Sequence, residues 1–245
     1  MSQEIPAYPK PLKAWLTVLL LTLAYIFSYI DRSVLGLLIE PIKADFNFSD
    51  TQMGLLSGTA FAIFYATMGI PLGWLADRSN RRNIVAVGIA IWSVATAACG
   101  IVRSFSGFFV ARMMVGAGEA SLSPCAMSMI TDMFPKEMRG RAIAVYSSAL
   151  SIGIGFGSLL VAFLLNFAED FDFSTLAAYG IEKTWHLIFV LLGTTGLIFS
   201  ILFFLCGNLL GNRIIVFSPA AYPIRCTIYF RKTLSIWGFL PWAAL

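Results

Sequence analysis

Charged residues are scarce in this sequence. Only 12% of its 245 residues are charged, whereas a soluble domain usually carries about 25%. So few charges cannot cover a water-exposed surface, which excludes an ordinary soluble enzyme, a disordered chain and a nucleic-acid-binding protein. The formal net charge of +4 does not indicate a phosphate-binding patch either, because the basic residues are divided unequally among the loops.

Histidine and cysteine are also too few, or too far apart, for the usual metal sites. The only histidine is His186, and none of the four cysteines forms a CxxC pair. Paired-histidine metal binding is therefore excluded, and no disulfide framework or metal-ligand spacing is visible. We expect no cofactor and no enzyme activity. His186 follows Trp185 at the start of an apolar segment, which predicts an interfacial Trp-His pair, with a proton relay as the second interpretation.

Apolar residues are abundant, at 58% of the chain. They form six long segments at residues 14–38, 52–76, 83–102, 106–131, 142–165 and 185–206. Each is long enough to cross the ~30 Å hydrocarbon core as a helix, which satisfies its own backbone hydrogen bonds. The segments are continuously apolar rather than alternating, so a β-barrel is disfavoured. The sequence predicts an all-α membrane protein with six transmembrane helices.

The connections between these segments differ in charge. Both ends of the chain and the connections after segments 2 and 4 contain 12 Lys/Arg and 4 Asp/Glu, whereas the other three connections contain 3 and 7. Cytoplasmic loops collect Lys and Arg. We therefore expect a multi-pass protein of the cell membrane, the inner membrane in a bacterium, with both termini cytoplasmic.

The same pattern predicts three regions. Residues 1–13 form a cytoplasmic N-tail, 14–206 the six-helix domain, and 207–245 a tail with basic but no acidic residues. The tail has two interpretations. It is a truncated or frameshifted end without evolved structure, or it forms a short interfacial helix near 228–239 that faces anionic lipid.

Four charges fall inside apolar segments: Asp31 and Arg32 in segment 1, and Arg112 and Glu119 in segment 4. Charges at membrane depth are costly and usually pair or line a cavity. Arg112 and Glu119 are seven residues apart and share a helix face with Gly116, where a neighbouring helix can approach closely. The four charges predict either ion or substrate handling or a static ion pair that locks two helices.

The connection after segment 2 is short, polar and basic. It contains Gly73, Asp77, Arg78, Arg81 and Arg82 and predicts a tight hairpin between two helices. We expect the aspartate to accept hydrogen bonds from the first backbone N–H groups of the next helix. The arginines are expected to reach lipid phosphates or a carboxylate across the loop.

Several of these motifs carry a family resemblance. Gly73-x-x-x-Asp77-Arg78-x-x-Arg81-Arg82 resembles the signature loop between helices 2 and 3 of the major facilitator superfamily, and Arg112-x-x-x-Gly116-x-Gly118-Glu119 resembles its helix-4 motif. The spinster-like branch in particular is resembled by Asp31-Arg32-Ser33-Val34-Leu35 and Gly116-Ala117-Gly118-Glu119-Ala120-Ser121. The fold of that superfamily is two six-helix halves, and the chain resembles the N-terminal half.

The resemblance implies a proton-coupled secondary active transporter that moves a small organic anion or an amphipathic lipid-like solute by alternating access. Asp31 and Glu119 would be the protonatable pair, with Arg32 and Arg112 beside them and the basic hairpin as the conformational switch. Transport would also require a bilayer, and a second six-helix half or a homodimer. The alternative is a truncated membrane protein that does not transport and is inert or modulates a full-length relative.

Two further groups of residues have open interpretations. Tyr25, Ser28 and Tyr29 lie about one turn inward of Arg32 and either line a cavity or pack against helices. In segment 5, the Gly153-x-Gly155-x-Gly157 run predicts close helix packing. It lacks the proline of the antiporter pattern and so gives no support to antiport.

Overall fold

The computed structural model describes residues 8–167, 173–177 and 180–209. Within these ranges the chain is helical and contains no strand. The helices are α1 (Pro11–Leu37), α2 (Ile39–Phe46), α3 (Asp50–Gly54), a π-helical turn (Leu55–Thr59), α4 (Ala60–Ala76), α5 (Arg81–Cys99), α6 (Phe105–Glu119), α7 (Leu122–Met133), α8 (Lys136–Ser147), α9 (Ala149–Phe167), α10 (Ser174–Ala177) and α11 (Thr184–Leu209). The predicted all-α membrane fold is confirmed.

All six predicted segments are helical, and five of them form stretches long and apolar enough to cross a membrane. These stretches are Pro11–Leu37, Asp50–Ala76, Arg81–Cys99, Lys136–Asn166 and Thr184–Cys206. The remaining segment, predicted as one helix over 106–131, is divided into α6 and α7. In that respect the prediction of a continuous fourth helix was wrong.

Pro124 explains the break between α6 and α7. A proline inside a helix has no N–H to donate, and its ring clashes with the carbonyl four residues earlier, here that of Ala120. Helix α6 ends at Glu119, and the buried Ser121 hydroxyl donates to the Gly118 carbonyl at 2.8 Å. This bond satisfies a carbonyl in the last turn of α6, inside the bundle, where no water is available to do so.

A π-helical turn at Leu55–Thr59 interrupts the second span. The Ala60 N–H donates to the Leu55 carbonyl five residues earlier, so this turn holds one residue more than an α-helical turn. The extra residue rotates the rest of the span about its axis. Phe61 and Tyr65 then face the interior, where their rings lie against a guanidinium group.

The bundle contains two apolar clusters. One surrounds Trp92 and Tyr146, and the other surrounds Phe108 and Phe189. Along α1, residues 14–24 belong to the first cluster and residues 30–38 to the second. The four intramembrane charges of α1 and α6 lie close to this change of cluster.

Glycines allow α6 to touch two neighbouring helices. A Cβ atom added to Gly118 would lie 2.8 Å from the Trp92 nitrogen and 2.9 Å from the Gly88 oxygen, both backbone atoms of α5. On another face, a Cβ on Gly116 would lie 2.5 Å from the Phe61 carbonyl oxygen. The close approach expected at Gly116 is therefore present, and no larger residue fits there.

The glycine run of the fifth segment also packs as expected at two of its three positions. A Cβ on Gly153 would lie 2.6 Å from the Tyr29 Cβ, and one on Gly157 would lie 3.4 Å from the Ile30 Cα. A Cβ on Gly155 would meet no other atom of the described residues within 4 Å. Helix α9 therefore packs against α1 next to the intramembrane charges.

The predicted terminal regions are described only in part. Helix α1 begins at Pro11, inside the predicted 1–13 tail, and α11 continues to Leu209, just inside the predicted 207–245 tail. Residues 1–7 and 210–245, including the interfacial helix expected near 228–239, lie outside the described residues.

We expect Gly118→Ala to destabilise the protein by about 1–3 kcal/mol, because the new methyl group meets backbone atoms that cannot rotate away. Thermal unfolding of the purified protein in detergent measures the loss. Gly69→Ala is the matched control, since Gly69 has open space around it and alanine favours a helix. Equal melting temperatures for the two variants would contradict close α5–α6 contact.

Candidate functional site

The centre of the bundle holds a buried ion pair between α1 and α6. Arg32 donates to Glu119 Oε2 from Nε at 2.7 Å, and its Nη2 lies 2.6 Å from the same oxygen. The Ser28 hydroxyl donates to that oxygen as well, at 2.7 Å. Glu119 Oε1 is buried and has no hydrogen-bond partner in the part of the chain that the structure describes. The carboxylate thus has one oxygen with three contacts and one that is unpaired.

Asp31 is separate from this pair. It is buried, and its Oδ2 accepts a hydrogen bond of 2.9 Å from the Thr96 hydroxyl on α5. No cation forms an ion pair with Asp31 in the described part of the chain. The neighbouring residue Arg32 points to α6, since successive side chains on a helix diverge by about 100°. The two carboxylates of α1 and α6 therefore have different environments.

Arg112 is the fourth intramembrane charge, and it is 1% exposed. Its Nε and Nη1 atoms have no hydrogen-bond partner, and among the described residues no carboxylate lies within 4.0 Å of it. Its guanidinium lies 5.9 Å from the centre of the Phe61 ring. Asp31 and Glu119 are both within its electrostatic reach. The structure thus brings the four predicted charges into one region but pairs only two of them.

An aromatic enclosure surrounds Arg32. Its guanidinium carbon lies 4.6 Å from the Phe61 ring centre, 4.9 Å from that of Tyr65 and 5.1 Å from that of Tyr29. Such cation–π contacts stabilise a charge that has been removed from water. Two of these three rings come from α4, which the sequence analysis did not include in the site.

The three predicted cavity residues of α1 all lie near this enclosure. Ser28 and Tyr29 contact Arg32 or its partner Glu119 directly. Tyr25 is one step removed, with its hydroxyl 3.2 Å from that of Tyr29. Its ring stacks on Tyr146 at 4.7 Å between centres. These residues are both packed and close to the charges, so the two interpretations do not exclude each other.

Sequence reasoning missed Phe61, Tyr65 and Thr96. The first two are four residues apart, a spacing that places them on one helix face, but the π-helical turn that orients this face leaves no clear sequence signal. Thr96 is one of few polar residues in the third segment. A polar residue in an otherwise apolar segment was the signal that could have identified Thr96.

The basic hairpin between α4 and α5 is held mainly by Arg81. Arg81 forms an ion pair with Asp132 at the end of α7, and its Nε donates to the Ala76 carbonyl at 3.2 Å. The predicted contact between an arginine and a carboxylate across the loop is therefore present. Arg82 bonds the Asn83 side chain, and Arg78 stacks over the Trp74 ring at 4.0 Å.

The expected role of Asp77 as a cap of α5 was wrong. Asn80 occupies the capping position, and its side-chain oxygen accepts from the Arg82 N–H at 3.2 Å. Asparagine is a preferred residue there because its short side chain reaches the free N–H groups of the first turn. Asp77 instead lies at the end of α4, and Gly73 has open space around it.

The opposite end of the bundle has its own polar contacts. Asp45 of α2 forms an ion pair with Lys183 and accepts a 3.0 Å hydrogen bond from Trp185 Nε1. Burial raises the pKa of Asp45, but these hydrogen bonds and the Lys183 charge outweigh it, and the pKa lies below its ordinary value. The first connection and the start of α11 are thereby joined.

His186 is buried at the start of α11, 2% exposed, and its ring centre lies 3.7 Å from that of Trp185. Its Nδ1 accepts from the backbone N–H groups of Glu182 and Lys183 at 3.1 and 3.2 Å. Its Nε2 lies 2.8 Å from Arg103 Nη1. The imidazole therefore ties together two connections at this end. Among the described residues, no three His, Cys, Asp or Glu side chains converge as metal ligands.

Apolar membrane-length helices around a buried charge cluster define a multi-pass membrane protein with a polar site among its helices. The chain belongs to the Major Facilitator Superfamily, whose sequence profile matches residues 21–240. The predicted family resemblance is thereby confirmed.

Individual relatives include a protein named spinster, in line with the spinster-like resemblance. Protein spinster of Drosophila melanogaster is 33% identical over 64% of this chain. The probable L-galactonate transporter of Escherichia coli strain K12 is 31% identical over 70% of it. In these comparisons the chain covers 26% and 38% of the relatives' own lengths.

The structure agrees with the sequence comparison. The crystal structure of a bacterial homolog of the human lysosomal transporter Spinster, inward-facing and unoccupied, matches with a TM-score of 0.71 and 35% identity. The match covers 80% of this chain and 43% of that one. The chain thus corresponds to less than half of that transporter.

We expect Asp45→Asn to lower stability at pH 7 by less than about 1 kcal/mol, since its partner Lys183 is partly exposed. Because the pKa of Asp45 is lowered by folding, its contribution is present above the ordinary aspartate value and is lost as pH falls through the folded value. The variant should therefore lose less stability than the parent protein between about pH 5 and pH 2. Thermal unfolding across that range measures this.

Asp50→Asn is the matched control, because Asp50 also pairs with a lysine, but its side chain is 89% exposed. Asp50→Asn should lose as much stability as the unsubstituted protein between about pH 5 and pH 2. An unchanged profile for Asp45→Asn would show that the link from α2 to α11 does not contribute to stability.

Proposed function

We propose that this chain is the N-terminal half of a proton-coupled secondary active transporter that works by alternating access. The observation that carries the proposal is the buried Arg32–Glu119 pair, in which one carboxylate oxygen is fully bonded and the other has no partner among the described residues. A carboxylate at membrane depth that leaves one of its oxygens unpaired is a candidate for reversible protonation.

Proton binding at Glu119 would act through Arg32. A proton on Oε1 neutralises the carboxylate, so Arg32 loses its counter-charge and keeps the Ser28 hydroxyl, 3.3 Å from its Nη2, and the aromatic enclosure around it. The guanidinium is then available to another anion, either a substrate group or a carboxylate on a moving helix. The ion pair is one of two alternative arrangements, and the proton selects between them.

Asp31 supplies the second protonatable group. Its one hydrogen-bond partner in the described ranges is the uncharged Thr96 hydroxyl, which tolerates either protonation state of the carboxyl group. Arg112 adds a buried positive charge within electrostatic reach. Together the four side chains form a charge set whose balance changes when protons bind.

The substrate is a small organic anion or an amphipathic lipid-like solute. Arg32 and the surrounding aromatic rings offer a positive group beside an apolar surface, which suits either kind of molecule. Among the relatives, one is named as a probable L-galactonate transporter and others as spinster proteins. The fold and these names support transport rather than catalysis, and we propose that the chain is not an enzyme.

The basic hairpin acts as the conformational switch. The Arg81–Asp132 ion pair links the start of α5 to the end of α7, and it lies at the end of the bundle where the arginine-rich loop is found. Opening this end separates the linked helices and must break the pair. Gly73 and Arg78 lie on the same hairpin, with free space at the glycine.

A second six-helix half completes the transporter, either in a second copy or in another chain. The second span (Asp50–Ala76) and the span of the fifth predicted segment (Lys136–Asn166) are the least buried. Of their apolar stretches 11% and 22% are buried, against 56% for α5. They expose polar and small residues as well as apolar ones. These two spans are the surface that a partner half would cover.

The charge distribution supports an orientation with both termini cytoplasmic in the cell membrane. Ion pairs lie at both ends of the bundle. Arg81 pairs with Asp132 at the end rich in basic residues, and Lys183 pairs with Asp45 at the other. We also propose the division of the chain given by the sequence, with 14–206 as the transporter domain between the two tails.

A second candidate function is a membrane protein that does not transport but is inert or modulates a full-length relative. It is favoured by the same exposed spans, because they could bind a relative's second half. Vesicle uptake distinguishes the two candidates.

We expect vesicles containing this chain to accumulate radiolabelled galactonate, or a fluorescent single-chain amphiphile, when a proton gradient is imposed. Asp31→Asn and Glu119→Gln should each reduce gradient-driven uptake to that of empty vesicles, because neither amide takes up a proton. Unchanged gradient-driven uptake in both variants would contradict the proposal that these residues couple transport to protons.

Asp50→Asn is the control for this assay, because Asp50 is an exposed carboxylate at the first residue of the second span, and it should retain full uptake. If the unsubstituted chain inhibits uptake by a co-reconstituted full-length relative and has no uptake itself, the modulating function is the correct one.

We also expect the purified chain to be oligomeric in mild detergent, since its second and fifth spans expose surface that a partner half would cover. Light scattering coupled to size exclusion measures the mass of the protein in the micelle. Ile70→Glu places a charge at a 78%-exposed position of α4 and should dissociate the oligomer. A monodisperse monomer of the unsubstituted chain would contradict this expectation.

A further inference from the structure

Thr96 differs from the other threonines of the bundle in what its hydroxyl bonds. Six helical threonines donate to the carbonyl four residues earlier in their own helix, namely Thr17, Thr22, Thr67, Thr131, Thr194 and Thr195. The Thr96 hydroxyl instead crosses to α1 and donates to Asp31 at 2.9 Å. The Thr96 hydroxyl bonds a carboxylate on another helix instead of a carbonyl of its own helix, and helix formation does not explain this choice.

Helix α5 is a suitable support for such a contact. It is the most buried of the five apolar spans. On one side it meets α6 at Gly88, and on the other it meets α11, where a Cβ on Gly193 would lie 2.5 Å from the Ser93 carbonyl oxygen. The backbone of Thr96 is therefore fixed, while Asp31 lies on the helix that also carries Arg32.

The charged and titratable groups around Asp31 come from three helices. Arg32 lies next to it on α1, Glu119 and Arg112 lie on α6, and the thiol of Cys99 lies on α5. None of them forms an ion pair or hydrogen bond with Asp31. Thr96 is thus the direct polar contact of this carboxyl group among the described residues.

A hydroxyl suits a carboxyl group that changes its protonation state. It has one hydrogen to donate to an ionised carboxylate and two lone pairs that can accept from a carboxylic acid. When it is released, Thr96 still has an acceptor within its own helix, the Trp92 carbonyl four residues earlier, in the pattern of the other six threonines. Both states of Asp31 therefore leave the threonine hydrogen-bonded.

We propose that Thr96 is a positioning residue that holds the Asp31 carboxyl group toward α5 and sets the acidity at which it takes up a proton. The inference rests on the proposed proton coupling at Asp31 and adds a residue from a third helix to the coupling site. Thr96 acts through Asp31 and does not itself contact a substrate.

Infrared difference spectroscopy tests this on the whole purified chain in lipid nanodiscs. The carboxylic acid C=O band is recorded as a function of pH, and the part that disappears in Asp31→Asn is assigned to Asp31. Thr96→Val keeps the shape of the side chain but removes the hydroxyl that stabilises the ionised carboxylate. We expect proton uptake by Asp31 to move by about one unit to higher pH.

Two further variants separate positioning from packing. Thr96→Ser keeps the hydroxyl and should keep the midpoint of the unsubstituted chain. Thr22→Val removes a buried hydroxyl that bonds its own helix at Val18, and it should also leave the midpoint unchanged. Should Thr96→Val fail to fold, Thr96→Ala replaces it with the same expected shift.

The outcomes distinguish this inference from the proposed function. An unchanged midpoint in Thr96→Val, or an equal shift in Thr22→Val, overturns the role of Thr96 while proton binding by Asp31 stands. If Asp31→Asn keeps the whole carboxylic acid band, proton binding at Asp31 is overturned and the inference with it. A shift confined to Thr96→Val and Thr96→Ala supports the positioning role.

Discussion

The contact between Arg32 and Glu119 is the constraint on which the centre of this bundle depends. Breaking a buried pair by removing one partner typically costs about 3–5 kcal/mol, so the two side chains fix the relative positions of α1 and α6. Ser28 completes the contact on one side and the rings of Phe61 and Tyr65 on the other. Three spans are thereby held around one charge pair.

The glycine contacts make this pair geometrically attainable. Gly116 allows α4 to approach α6 backbone to backbone, and Gly118 does the same for α5. Glu119 directly follows these positions and ends α6. The break caused by Pro124 leaves it at a helix terminus, where a change in charge has neighbours on several helices. Close packing and buried charge are therefore parts of the same arrangement.

The sequence predicted the helices well, because apolar length and loop charge are strong signals in a membrane. The four intramembrane charges were also identifiable, since charge is rare there. Which charges pair was not predictable, because a pairing depends on helix rotation. Thr96 and Tyr65 were missed for the same reason, and Asp77 was misassigned because Asn80 competes for the same cap with a shorter reach.

The π-helical turn at Leu55–Thr59 makes the length of the second span as significant as its composition. Each residue advances an α-helix by about 100°, so the loss of a single residue upstream of Phe61 would turn its ring away from Arg32 without altering hydropathy. Homologous spans of equal hydrophobicity but different residue count would then present different side chains to the same guanidinium. A change of length in this span would therefore change which rings surround Arg32.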